Sequence, residues 1–275
     1  MVQHFIVIGN PIAHSKSPAI HQAFAKQVGL DIAYARQFCP DDADSVRAVV
    51  DAFFHGGGVG ANVTVPFKQV AYAMCAENGE LSRHAQVAGA VNTLMMRKGK
   101  LYGANTDGQG LVNHLQQLGW QLDGKKVAII GAGGASRGVL LPLAEAGVAE
   151  MTIANRTVSK ADELAQAIQP VLPATASMSS CGIDQLTGQF DLIINATSIG
   201  LTGEALPLSE ALSTAHAYDM MYGRALPFLQ HFAEQGASVS EGFGMLGGQA
   251  GLSFEAWTGK AVDTTQAMQD LQSSL

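Results

Sequence analysis

The stretch VAIIGAGGASRG, residues 127–138, restricts the fold more than any other part of the chain. Val127 to Ile130 are apolar and largely β-branched, as a buried strand requires. Gly131, Gly133 and Gly134 permit a tight turn, and a helix takes over from there. With β-carbons missing, backbone N–H groups and the positive end of that helix can approach a pyrophosphate. The spacing is G-x-G-G-x-S, so Ser136 stands where the dinucleotide fingerprint has Gly or Ala. An ordinary strand–glycine–helix turn carries similar letters, so the flanking sequence has to be read with it.

That flanking sequence alternates apolar strands with amphipathic helices almost from end to end. HFIVIGN reads as a strand, and SPAIHQAFAKQVG as a helix with Ser17 as N-cap, Pro18 at the first position and Gly29 as its stop. DIAYARQF is a second strand and DDADSVRAVVDAFFHGG a second helix. In GANVTVPFK, Val63 and Val65 alternate with Asn62 and Thr64, the pattern of a strand with two different faces, until Pro66 closes it. NTLMMRKGKLYGANTD holds two strand-like runs around Lys98-Gly99, a hairpin signal. The helix GQGLVNHLQQLG follows, then strands in VAIIG, EMTIANR, FDLIINATS and AHAYDMMY. This βαβ rhythm predicts an α/β fold with a parallel sheet covered on both faces. Breaks at Asn105-Thr106-Asp107-Gly108 and at Glu241-Gly242 suggest domains over 1–106 and 107–241, with two closing helices over 242–275 returning to the first. Glycines at both breaks make hinge closure of the two domains an expectation.

Composition narrows the function. Hydrophobic residues make up 47% and charged residues 14% of the 275, enough for an extensive core. A net charge of −7 speaks against a nucleic-acid partner, though not against a small anion held by a few local cations. No apolar run reaches membrane-spanning length, and the start MVQHFIVIGN lacks the basic region of a secretory leader. Cys39, Cys75 and Cys181 are scattered, without C-x-x-C, which fits the reduced cytoplasm. The eight histidines make no H-x-x-x-H pattern, so no metal site is expected.

The end of the strand after the glycine loop selects the nucleotide. A free ribose 2′-hydroxyl calls for Asp or Glu about twenty residues beyond the loop. This chain has IANRTVSK there: Asn155, Arg156, Thr157, Ser159 and Lys160. An arginine fork, hydroxyls and a lysine suit a 2′-phosphate, so NADP is favoured over NAD; a plain exposed arginine is the alternative.

Taken together, GNPIAHSKSP, GANVTVPFK, AGAVNT, NTDG, GAGGASRG, NRT, INATSIG, YDMMY and GMLGGQA resemble, in order and spacing, the shikimate dehydrogenase family. The resemblance covers nearly the whole chain. It implies an N-terminal substrate domain, a Rossmann-like NADP domain, C-terminal helices packed back on the former, and reversible NADPH-linked reduction of 3-dehydroshikimate to shikimate. It also implies that Lys68 is the acid–base group, with Asp107 its partner. Ser15, Ser17, Thr64, Asn92, Asp107, Tyr222 and Gln249 fall at the family's substrate positions. The loop Gly131-Ala132-Gly133-Gly134-Ala135, the cluster Asn155, Arg156, Thr157, Ser159 and Lys160, and Met220 and Gly242 fall at its cofactor positions. The partner is then a small molecule, and the chain a monomer or homodimer. Departures are Ala104 for an acidic residue, Arg83 for an acidic cofactor contact, and Gly247-Gly248 for bulkier residues, which would loosen a helix start. Three rivals are weighed against this: an NAD-using quinate/shikimate dehydrogenase, a non-catalytic NADP or shikimate sensor, and an S-adenosylmethionine methyltransferase. Arg156 in place of a carboxylate opposes the first and third, and the presence of Lys68 and Asp107 opposes the second.

Overall fold

The computed structural model describes residues 1–199 and 205–273. The chain forms two α/β units, Met1–Gly110 with Gly247–Leu275, and Leu111–Leu246. In chain order the elements begin β1 (Gln3–Gly9), α1 (Ser17–Val28), β2 (Ile32–Phe38), α2 (Ala43–His55), β3 (Gly60–Val63) and α3 (Lys68–Asn78). They continue with β4 (Glu80–Leu81), α4 (Arg83–Ala88), β5 (Thr93–Arg97), β6 (Lys100–Ala104) and α5 (Asp107–Gln117). Next come β7 (Lys126–Ile130), α6 (Gly134–Glu145), β8 (Glu150–Asn155), α7 (Val158–Ile168), β9 (Ser177–Gly182) and β10 (Gly188–Asn195). The chain closes with β11 (Leu212–Asp219), α8 (Pro227–Glu234), β12 (Ser238–Glu241), α9 (Phe243–Thr258) and α10 (Thr264–Ser273).

In the first unit the sheet order is β2-β1-β3-β5-β6-β4, with β1 parallel to β2 and β3, and β3, β5 and β6 successively antiparallel. Successive side chains of β1 point to opposite faces. Ile6 and Ile8 pack with Val46 and Val50 of α2, Met74 of α3 and Ala85 of α4. Phe5, on the other face, stacks with Tyr34 of β2 and meets Trp257 of α9. The β5–β6 hairpin turns as expected at Lys98 and Gly99, both left-handed at φ 49° and 78°.

Three local expectations are corrected. The two-faced strand at 60–65 is shorter: β3 ends at Val63, Asn62 is buried, and Val65 is exposed beyond the strand end. The strand lies between β1 and β5 with both faces covered, so alternation no longer separates core from solvent. At α1, Ser17 is the first helical residue rather than the cap; Lys16 occupies that place with φ −85°, ψ −7° and no capping side chain. Ser15 Oγ accepts the Ser17 N–H at 3.3 Å instead, serving a donor that the helix leaves open. Finally, Gly247 and Gly248 do not loosen α9, which runs unbroken from Phe243 to Thr258. A β-carbon on Gly248 would collide with the Gly110 backbone, and one on Gly247 with Met268 of α10. These glycines allow close approach.

His21 of α1 is fully buried against Tyr34, Phe24, Phe254 and Trp257, and among the described residues neither ring nitrogen has a hydrogen-bond partner. Burial pushes its pKa down to about 3. Between the unfolded value near 6.5 and about 3, the unfolded chain therefore binds a proton that the native state refuses. Stability should fall by up to about 1.4 kcal/mol per pH unit as pH drops through that window. His21→Phe keeps a ring in the cluster and removes this slope. Urea unfolding at pH 7.5 and pH 5 should show the unsubstituted protein losing about 2 kcal/mol more than the variant; parallel losses would refute the assignment.

In the second unit all strands are parallel in the order β12-β11-β10-β7-β8-β9. Counted from β7 as first, this is 6-5-4-1-2-3, the Rossmann order, with its topological switch point between β7 and β10. Ala128, Ile130, Ile193 and Ala217 pack with Phe228 and Phe232 of α8. On the alternate face of β11, Trp120 stacks on His216, and His114 of α5 meets the Tyr218 hydroxyl at 2.9 Å. Among the described residues no helix is long and apolar enough to cross a membrane, and no three His, Cys, Asp or Glu side chains gather as metal ligands would.

Candidate active site

In the first unit, the turn after β3 delivers Lys68 as the first residue of α3. Asp107 opens α5. Their side chains meet with Lys68 Nζ donating to Asp107 Oδ2 at 2.6 Å, and both are partly exposed. The other carboxylate oxygen accepts from Asn92 Nδ2 at 2.9 Å, and the same amide nitrogen lies 3.3 Å from Gln249 Oε1 of α9. Four predicted site residues thus form one cluster. An ammonium retains two further N–H groups beyond the one given to Asp107, enough to reach a substrate oxygen.

Ser15 and Ser17 pair with each other, Oγ to Oγ at 3.2 Å, at the start of α1. Arg36 holds their turn by donating twice to the Ser15 carbonyl, at 2.9 and 2.7 Å. Thr64 is half-buried just past β3, its N–H donated to Ile8 and its carbonyl accepting from Phe67 N–H. Tyr222 belongs to the second unit, where its ring lies 5.7 Å from Phe243; burial and the nearby Glu241 push its phenol pKa up.

The glycine loop sits at the switch point of the second sheet. Gly131, at φ +111°, passes so close to Ala196 and Thr197 after β10 that a side chain would crowd both. Among the described residues nothing lies against Gly133 and Gly134, and no side chain caps α6, where Ala135 lies in its first turn. Ala132 completes the loop. Ser136 is buried and donates to the Gly131 carbonyl at 2.7 Å, which gives a reason for serine in place of Gly or Ala. At the end of β8, Asn155 Nδ2 donates to the Thr157 carbonyl at 2.9 Å and shapes the turn that presents Arg156. Ser159 and Lys160 are exposed in the first turn of α7, which contains no acidic residue. Asn155, Arg156, Thr197, Ser198 and Leu206 help line a cleft of about 520 Å³. Open backbone, a bare helix start and a cationic rim fit a phosphorylated dinucleotide. Met220 and Gly242 are neighbours, since the Met220 carbonyl leaves no room for a side chain on Gly242. Gly200, the last residue of INATSIG, lies outside the described residues.

Sequence reading missed a buried pair behind this loop. Asn195 ends β10 and donates from Nδ2 to Asp219 Oδ2 at the end of β11, 2.8 Å away. Asn195 Oδ1 accepts from the Thr197 N–H and hydroxyl, and Asp219 Oδ1 from the Met221 N–H. Burial raises the Asp219 pKa. The available signal was a polar residue closing each of two apolar strands, in FDLIINATS and AHAYDMMY.

Comparison with known proteins follows the same division. Residues 7–94 match the family described as shikimate dehydrogenase substrate binding domain, and residues 113–202 the one described as shikimate / quinate 5-dehydrogenase. A shikimate dehydrogenase (NADP(+)) of Psychrobacter cryohalolentis is 62% identical, with 99% of each chain covered. An Ael1 enzyme from Pseudomonas putida is similar in structure, with TM-score 0.89, 36% identity and 98% of each chain covered. The shikimate 5-dehydrogenase of Thermus thermophilus, solved in complex with NADP(H) and shikimate, gives TM-score 0.86 at 31% identity over 99% of this chain and 100% of that one.

Proposed function

This chain belongs to the shikimate dehydrogenase family, and we infer that it catalyses the reversible NADPH-linked reduction of 3-dehydroshikimate to shikimate. The observation that carries this reading is the Lys68–Asp107 contact within the Asn92–Gln249 cluster. Residues 1–106 and 242–275 then serve mainly the substrate and 107–241 mainly the dinucleotide, with Asp107 and Tyr222 of the latter turned to the substrate and Gly242 of the former to the cofactor. Gly131 to Ala135 would hold the pyrophosphate, Arg156, Thr157, Ser159 and Lys160 the 2′-phosphate, and Met220 and Gly242 the nicotinamide end. NADPH supplies the hydride when bound.

The chain's own residues handle the proton. As negative charge grows on the substrate oxygen, the Lys68 ammonium stabilises it and donates a proton; in the oxidative direction the neutral amine takes that proton back. Asp107 holds Nζ in place from one side, and Asn92 fixes Asp107 from the other. Ser15 and Ser17 offer hydroxyls and the start of α1 to the carboxylate, while Thr64, Asn92, Gln249 and Tyr222 receive the ring hydroxyls. We place the chain in the cytoplasm, acting as a monomer or homodimer on small molecules, without nucleic acid or membrane. The test is nicotinamide absorbance with shikimate or quinate, each with NADP or NAD. Fast turnover is expected for shikimate with NADP, and no turnover of shikimate with either cofactor would refute the proposal.

A further inference from the structure

Adjoining the Lys68–Asp107 pair is a line of buried polar groups that the proton transfer itself does not use. Tyr34 donates its hydroxyl to Asn62 Oδ1 at 2.7 Å, and Asn62 Nδ2 reaches Ser253 Oγ at 3.1 Å. Ser253 Oγ and Thr93 Oγ1 are 2.7 Å apart, and Thr93 donates to Asn92 Oδ1 at 2.8 Å. The Ser253 proton has two acceptors in reach, Thr93 Oγ1 at 2.7 Å and the Gln249 carbonyl at 3.1 Å; with the Thr93 proton given to Asn92, the shorter contact makes Ser253 the donor to Thr93. Asn92 Nδ2 then donates to Asp107 Oδ1 at 2.9 Å, so each donor in the line points towards the carboxylate. Asn92 Oδ1 also accepts the Thr106 N–H at 3.0 Å, and a flipped amide would set its NH2 against that N–H.

Thr93 and Ser253 have no exposed surface, and Asn62 and Asn92 are buried as well. Burying so many polar groups gives little net stability over apolar side chains of the same shape, so the set is better explained by the orientation it imposes. Ser253 stands four residues after Gln249, on the same side of α9, so one helix brings both groups to Asn92 and its neighbours.

We propose that Thr93 and Ser253 are positioning residues for the reaction: through the Asn92 amide they keep the Asp107 carboxylate aimed at Lys68. This rests on Lys68 and Asp107 being the proton-transfer pair. Ser253→Ala and Thr93→Val delete one hydroxyl each with little change in volume, while Thr93→Ser keeps it. Each deletion should lower kcat about three- to tenfold, the scale of one lost hydrogen bond, with KM for NADP within about twofold. Thr93→Ser should return to within about twofold of the unsubstituted enzyme, as a surviving hydroxyl requires. In an Asn92→Ala background, Ser253→Ala should add no further loss, because its effect passes through that amide.

Alanine is the better helix former, which offsets part of the cost of the lost buried hydrogen bonds, so Ser253→Ala should fold with a lowered Tm and carries the test alone if Thr93→Val does not fold. Unsubstituted enzyme assayed alongside separates the two proposals, since its inactivity would count against the function itself. With that enzyme active, an unchanged kcat in Ser253→Ala would overturn the positioning role. So would a loss of equal size in the Asn92→Ala background.

Discussion

Lys68→Ala is expected to lose turnover by a factor on the order of a hundred to ten thousand, the range typical of a general acid–base group. Substrate affinity should change far less, because Ser15, Ser17, Thr64 and Gln249 remain. The fold should tolerate the change. Lys68 is partly exposed at the first position of α3, where alanine is a good helix former. What the substitution removes is the ammonium that Asp107 holds at 2.6 Å, and with it, on the proposed mechanism, the proton for the substrate oxygen. Asp107→Asn should also be slow, since an amide is a poorer anchor for that ammonium. If the two act as one unit, the double variant should be little worse than either single one. The decisive measurement is kcat for shikimate oxidation with NADP at saturating substrate. A value near that of the unsubstituted enzyme in Lys68→Ala would remove Lys68 from the chemistry.

Lys68 also shows what the sequence made legible and why. Local rules assign it to a helix start, and it does begin α3; only the surrounding motifs make that position a site. The glycine loop, the Lys98-Gly99 hairpin and the parallel second sheet were readable because each depends on neighbours in sequence: positive φ, a two-residue turn, or apolar runs between helices. The line through Asn62, Thr93 and Ser253 was not readable. Its members come from three separate segments, and a polar residue in a strand looks the same in sequence whether it faces solvent or is buried with a partner. For that reason the alternation of Asn62 with Val63 suggested two different faces of β3, when both residues are buried and Asn62 donates to Asn92 and Ser253. Gly247 and Gly248 misled in the opposite sense: helix propensity prices them as a weakness, whereas Gly110 and Met268 on neighbouring segments require their smallness.

Cofactor choice should shift strongly on a single residue. Replacing Arg156 by Asp is expected to raise KM for NADP between about tenfold and several hundredfold. A charge-assisted hydrogen bond of about 1.5–3 kcal/mol is lost, and a like charge is placed against the 2′-phosphate. The turn itself should survive, because the Asn155 amide and the Thr157 carbonyl shape it, and the Arg156 side chain is exposed. NAD has no phosphate to repel, and an acidic residue at this place can accept from its ribose 2′-hydroxyl, so KM for NAD should hold or fall. Thr157, Ser159 and Lys160 stay in the variant, and a residual preference for NADP would measure their share. Ionic strength offers an independent check, since Arg156 is exposed and salt would screen a charge contact made there. Raising salt should weaken NADP binding in the unsubstituted enzyme and narrow its gap from the variant. Equal use of NAD and NADP before substitution would end this assignment, as would an Arg156→Asp enzyme with unaltered KM for NADP. Either result would leave Arg156 an ordinary solvated arginine and shift the discrimination to Lys160 and the start of α7.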